Sequence, residues 1–156
     1  MITITSTASG KEYTIGELRT GHHQYMDRLY QFSYIPDELK GCVHIMPHGD
    51  DKMLSEKEWC FTIETDRECD VYVLYPDKQP VLPKWLESYE RTRMNVTRFD
   101  SMHNTLKGYF SLYHKHFAPG EIRFYGSSPD AMLAEDWYVE TGGNTYCMYS
   151  VAVKEL

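Results

Sequence analysis

"EWCFTIETDRECDVYVLYP", residues 58–76, holds two runs of strand-like residues separated by a short polar segment. In the first, Trp59, Phe61 and Ile63 alternate with Cys60, Thr62 and Glu64. Successive side chains on a strand point to opposite faces, so this period of two reads as a strand, with Trp59 expected in the core beside Phe61 and Ile63. The second run, "DVYVLYP", is built on a Val-Tyr-Val core and follows the polar "TDREC". Two such runs joined by a polar turn read as a β-hairpin.

The same period recurs on either side. "YMDRLYQFSYI", residues 25–35, sets Arg28, Tyr30, Phe32 and Tyr34 against Leu29, Gln31, Ser33 and Ile35. "YFSLYHKHF", residues 109–117, alternates Phe110, Leu112, His114 and His116 with Tyr109, Ser111, Tyr113, Lys115 and Phe117. "APGE" then turns the chain into "IRFYG", and "TYCMYSVAV" forms a last alternating run at residues 145–153. The first ten residues are polar enough to fray or to form an edge strand. Helical signals are confined to "VLPKWLESYE", one short turn after Pro83, and "SPDAMLAEDW", which starts at Ser128 or Pro129. Strands bounded by turns at roughly ten-residue intervals predict an all-β protein, an antiparallel β-sandwich or jelly roll with one or two short helical turns.

The 156 residues suit a single domain, and 13 tyrosines bias the apolar content toward residues that fit pleated surfaces. A net charge of −7, with 16 Lys and Arg scattered along the chain, argues against a nucleic-acid partner. No apolar run reaches the length of a membrane span, and "MITITSTASG" lacks the pattern of a secretory signal peptide. Cys42, Cys60, Cys69 and Cys147 show no Cys-x-x-Cys spacing; three lie in apolar or aromatic runs, where reduced, packed thiols are the expectation.

Taken in order, several phrases resemble a β-sandwich accessory domain that is appended to bacterial polysaccharide lyases and glycoside hydrolases. They are "SYIPDELKGCVHI", "DDK", "FTIETDRECDVYVLYP", "LPKWL", "FSLYHKHFAPGEI" and "GGNTYCMYSVAV", and together they span roughly residues 24–153. The resemblance implies a non-catalytic carbohydrate-binding-like module, with a glycan or a polysaccharide-processing protein as partner and a secreted or extracytoplasmic setting. The chain departs from that pattern by interposing "YGSSPDAMLAEDWYVET", residues 125–141, before the Gly-Gly-Asn turn.

Sugar binding by a sandwich needs flat aromatic faces for pyranose C–H stacking and polar groups for the hydroxyls. The interposed loop supplies Trp137 and Tyr138 beside Glu135; Trp85 and Tyr89, at the Pro-bounded turn, are the second choice and also suit packing of that turn. Two rival functions stand beside this one. A structural or oligomerising sandwich would use exposed aromatics to form a homo-oligomer. A small polysaccharide lyase would require His114, His116, Tyr113 and Arg123 to converge on a uronate. "HIMPHGDDKML", residues 44–54, brings two histidines and two aspartates together. His44, His48, His114 and His116 would all have to meet for an imidazole metal site. Asp50 and Asp51 with backbone carbonyls would suit a structural calcium ion. Pro47 and Gly49 favour the simpler reading of a turn whose aspartates bond its own amides, and no other cofactor is expected.

Overall fold

Ile45, Val71, Val73, Val151 and Val153 bury one face of a large sheet, and Leu74, Leu112 and Ala152 bury the other. This two-sided burial sets the architecture. The structure, a computed structural model, describes residues 1–99, 106–135 and 145–156. Trp137 and Tyr138 lie outside the described residues.

The larger sheet is formed by β2 (Thr14–Glu17), β3 (Gln31–Tyr34), β4 (Val43–Met46), β6 (Cys69–Pro76), β7 (Glu90–Phe99), β8 (Leu106–Phe117) and β10 (Ser150–Glu155), in the order β2-β4-β10-β6-β8-β7-β3. The smaller consists of β1 (Ile2–Thr7), β5 (Trp59–Thr65) and β9 (Gly120–Tyr125), with β5 central. Every pairing among the described strands is antiparallel, and the protein is an all-β sandwich. β1 is an edge strand, as its polar sequence suggests. The short turns appear where expected: a 3-10 turn at Lys84–Ser88 and helix α1 at Asp130–Ala134, entered from Pro129.

The hairpin expected at residues 58–76 does not form. β5 pairs with β1 and β9 in the small sheet, whereas β6 pairs with β10 and β8 in the large one. "DRE", residues 66–68, is a corner between sheets, and Ala118–Pro119 carries the chain back from β8 to β9. Packing of the two inner faces follows from this crossing. Phe61 stacks on Phe124 at 4.7 Å, and Tyr149 closes on Phe61 at 6.3 Å. All four cysteines are free thiols, and burial pushes that of Cys60 up to about 12.

Three further expectations are corrected by local irregularities. Trp59 is only half-buried, because a register shift between Trp59 and Phe61 breaks the alternation. Its Nε1 donates to Thr62 Oγ1 at 2.7 Å, a residue of the opposite phase. In 25–35 only Gln31–Tyr34 is strand. A second shift, between Phe32 and Tyr34, leaves Tyr34 53% exposed while both Phe32 and Ile35 are buried. In the last run only Ser150–Glu155 is strand, since side chains satisfy the backbone before it. Gln79 Oε1 accepts from Cys147 N at 2.7 Å, Ser127 Oγ donates to Cys147 O at 2.7 Å, and Tyr25 donates to Met148 O at 2.6 Å.

The large sheet curls. Phe32 on β3 and His44 on β4 belong to strands near its opposite ends, yet their rings meet edge to face at 5.1 Å. The trough so formed holds Leu18, Phe32, Leu39, Val96 and Phe110. His44 is fully buried there, with no hydrogen-bond partner for either ring nitrogen. Burial, with His22 adding to it, lowers the His44 pKa from 6.5 to about 3. The unfolded chain therefore takes up a proton below pH 6.5 that folded His44 refuses until about pH 3, so stability is full above 6.5 and falls with pH through this window. Urea unfolding should show up to about 2 kcal/mol of His44-dependent loss between pH 7 and pH 5. The same titration on His44→Leu should lack that component, and parallel curves for the two proteins would show that His44 is not its source.

Candidate functional site

The lyase set is not assembled. His114 Nε2 and His116 Nδ1 share Asp70 Oδ1 at 2.8 and 3.2 Å on the trough side of the large sheet. Tyr113, one residue out of phase, is packed in the core between the sheets. Arg123 is on β9 of the small sheet, its Nε donating to Glu121 Oε1 at 2.9 Å. The imidazoles do not meet either: His44 is in the trough, and His48 stacks on Tyr13 at 6.2 Å. Among the described residues no group of three His, Cys, Asp or Glu has a metal-holding arrangement.

"HIMPHGDDKML" is the exit of β4 into a 3-10 turn at Gly49–Met53. Its two aspartates diverge. Asp50 Oδ1 accepts from Arg28 Nη2 at 2.7 Å, and the arginine holds the carboxyl below its usual range. Asp51 is buried, accepting from Tyr13 Oη, from Ser9 Oγ at 3.0 Å and from Lys11 Nζ at 3.3 Å. The turn's amides are bonded from outside it: Asp27 accepts from Gly49 N at 2.6 Å and from Asp50 N at 3.1 Å.

Trp85 and Tyr89 are half-buried and pack against the core between the sheets. The indole Nε1 of Trp85 donates to Gly126 O at 2.9 Å, and its ring meets Tyr149 at 5.1 Å and Tyr89 at 5.9 Å. Gly126 packs so closely that a Cβ there would lie 2.0 Å from Ser55 O, so the indole is bonded to a fixed backbone. Glu135 is exposed at the end of α1. Trp85→Ala should lower stability by about 2–4 kcal/mol in chemical denaturation, as for loss of a large packed ring. Unchanged stability would show that the fold does not depend on the Trp85 ring.

The most unusual chemistry is at Arg98, which sequence reading passed over. β7 runs Val96 and Arg98 on one phase, so the strand that buries Val96 in the trough buries Arg98 too, at 5% exposure. Nη1 donates to Gln24 Oε1 at 2.9 Å and Tyr25 Oη at 2.8 Å. Among the described residues Nη2 has only the Cys147 sulfur, at 3.8 Å, and the buried Nε has no hydrogen-bond partner. The guanidinium carbon lies 4.1 Å from the centre of the Tyr30 ring, a cation–π contact that supports the charge from one face. No carboxylate within the described residues forms an ion pair with it. Burial, followed by the Cys147 thiol and opposed by Arg98, holds the Tyr25 phenol well above its ordinary pKa and therefore protonated.

Arg98 lines two adjoining cavities. One, of about 100 Å³, is also lined by Arg28, Tyr30 and Lys52. The other, of about 290 Å³, is lined by Pro76, Asp77, Gly108, Tyr109 and Phe110. Lys78 and Cys147 border both. In an acidic protein this end of the trough gathers cations, Arg28 being paired with Asp27 and Asp50. A charge desolvated without an opposite partner is unfavourable and is a mark of a binding site.

No family model matches the chain, and no curated protein matches it in sequence. Among solved structures the chain is similar to a β-glucuronidase from glycoside hydrolase family 2, with a TM-score of 0.73 and 22% identity over 97% of its length. The match takes in 14% of that enzyme, so the chain spans a small part of it, and the likeness is one of fold.

Proposed function

We propose that this chain is a non-catalytic, carbohydrate-associated module that captures a glycan at the Arg98 end of the curled sheet. One observation carries the reading: a buried guanidinium, held on one side by Gln24 and Tyr25, that lines two cavities with its Nε unpartnered. Glycan sites combine aromatic surface with a few fixed polar groups, and Tyr30 and Tyr109 flank the arginine here. Support also comes from the fold's likeness to a segment of a glycoside hydrolase and from the resemblance of the strand phrases to modules appended to such enzymes. A glycan or a polysaccharide-processing protein is the corresponding partner.

Affinity electrophoresis across neutral and uronic-acid polysaccharides tests this directly. At least one polymer should retard the protein, and Arg98→Gln should weaken that retardation about tenfold or more, the scale of one charge-assisted hydrogen bond. A blank panel on folded protein would sink the proposal. Retention of full binding by a folded Arg98→Gln protein would move the site elsewhere.

A further inference from the structure

Asp77 and Arg91 flank β8 from opposite sides, one just past the end of β6 and the other on β7, and a serine links them. Arg91 Nη2 donates to Ser111 Oγ at 3.0 Å, and Ser111 Oγ donates in turn to Asp77 Oδ1 at 2.6 Å. Neither charge forms an ion pair among the described residues. Ser111 is 4% exposed, whereas Asp77 and Arg91 are both exposed. A buried hydroxyl thus fixes a surface donor and a surface acceptor in relation to each other. Among the described residues the Arg91 side chain bonds through Nη2 alone and the Asp77 carboxylate through Oδ1 alone, so each keeps hydrogen-bonding capacity for a ligand.

β7 is irregular where it presents Arg91. Arg91 is opposite Tyr113 and Asn95 opposite Ser111, so four steps along β7 match two along β8. Such bulges re-aim side chains and are frequent beside binding sites. Asp77 and Arg91 line a cleft of about 320 Å³, with Tyr75, Pro80, Leu82 and Tyr113 in its wall. Burial raises the Tyr113 pKa, Arg91 opposing and Asp77 adding to the effect, so the phenol is protonated. Pro80 and the 37%-exposed Leu82 give the wall apolar surface.

The volume is near the lower bound of small-molecule pockets, about 300 Å³, and suits one sugar ring. A pyranose offers C–H faces to apolar wall and neighbouring hydroxyls that each donate and accept, which a fixed donor beside a fixed acceptor can bond together. One cation and one carboxylate balance in charge, which favours a neutral sugar over an ion. Pro76 and Asp77 also line the 290 Å³ cleft beside Arg98, so the two clefts share a rim. Asp77 N donates to Tyr109 O at 2.9 Å, which ties that rim to β8.

We propose that the Asp77–Arg91 cleft is a second sugar subsite, for a neutral pyranose unit, and that the module therefore holds an internal stretch of a glycan chain. The assignment rests on the glycan-binding reading and deepens it: the cleft beside Arg98 takes one part of the chain, and the Asp77–Arg91 cleft takes the next across their common rim. Ser111 is a positioning residue for both polar groups.

Calorimetric titration with mono- to tetrasaccharide fragments of cellulose, xylan and mannan, and of any other polymer that retards the protein, reads chain length directly. In at least one series affinity should rise tenfold or more from the monosaccharide to the tetrasaccharide. Arg91→Ala, a change at an exposed side chain, should remove most of that gain and leave the melting temperature within a few degrees. Equal affinity for the shortest and longest fragments, or an undiminished gain in folded Arg91→Ala protein, would overturn the second subsite and leave the Arg98 site standing. Binding of a polymer without binding of its tetrasaccharide would overturn it as well. Failure of every fragment together with the polysaccharide panel would remove both.

Discussion

A seven-stranded sheet that must bury both of its faces, with only three strands opposite, is the constraint on which the rest of the structure depends. The three-stranded layer covers one face. The other is covered by curling the sheet until strands near its two ends touch, as Phe32 and His44 do. β10 records both demands in three residues: Val151 and Val153 fill the inter-sheet core, while Ala152 faces the trough. Two-sided burial also explains why the chain leaves a sheet where a hairpin would have kept it there. β5 and β6 each need two neighbours, and crossing the sandwich at residues 66–68 gives each a central place in its own sheet.

The strand inventory was legible because alternation reports faces. It does not report partners: the run at residues 58–76 shows which side chains are inward and says nothing of which strand lies alongside. The hairpin reading failed there, though the strands themselves were real. Bulges set the second limit. One extra residue reverses the phase of everything after it, which moved Trp59 out of the core and left Phe32 and Ile35 buried while Tyr34 is exposed. Turn chemistry read well by comparison: Pro83, Pro129 and the Pro47–Gly49 bend all mark real breaks, since their backbone limits are local.

The candidate site was only half legible. Arg98 follows Val96 on the same strand phase, so a charge on an apolar face could be read from "NVTRF" alone. Its significance could not, because that depends on the lack of a carboxylate partner among the described residues, and on partners drawn from two distant segments, Gln24–Tyr25 and Cys147. The aromatic positions favoured from sequence divide differently. Trp85 and Tyr89 have their rings committed to each other and to the core, since a short 3-10 turn must be pinned by its largest side chains.

A trough closed at one end by an arginine raises the question of why the plug is charged at all. A leucine or methionine would fill the volume without desolvating a cation, and replacements of buried ion pairs by packed apolar residues are often neutral or stabilising. The described groups around Arg98 do not neutralise it. Tyr25 is kept protonated, Gln24 is an amide, and the rings of Tyr30 and Phe110 offer only their faces. They hold the guanidinium in one orientation, which is more than packing requires. Gly108 adds to the same effect: without a side chain it lets Arg98 pack against its backbone, where a Cβ would lie 2.8 Å from Nε. Fixed direction and a charge with no carboxylate partner among the described residues are two properties a recognition group needs, and for a structural plug each of them is a cost.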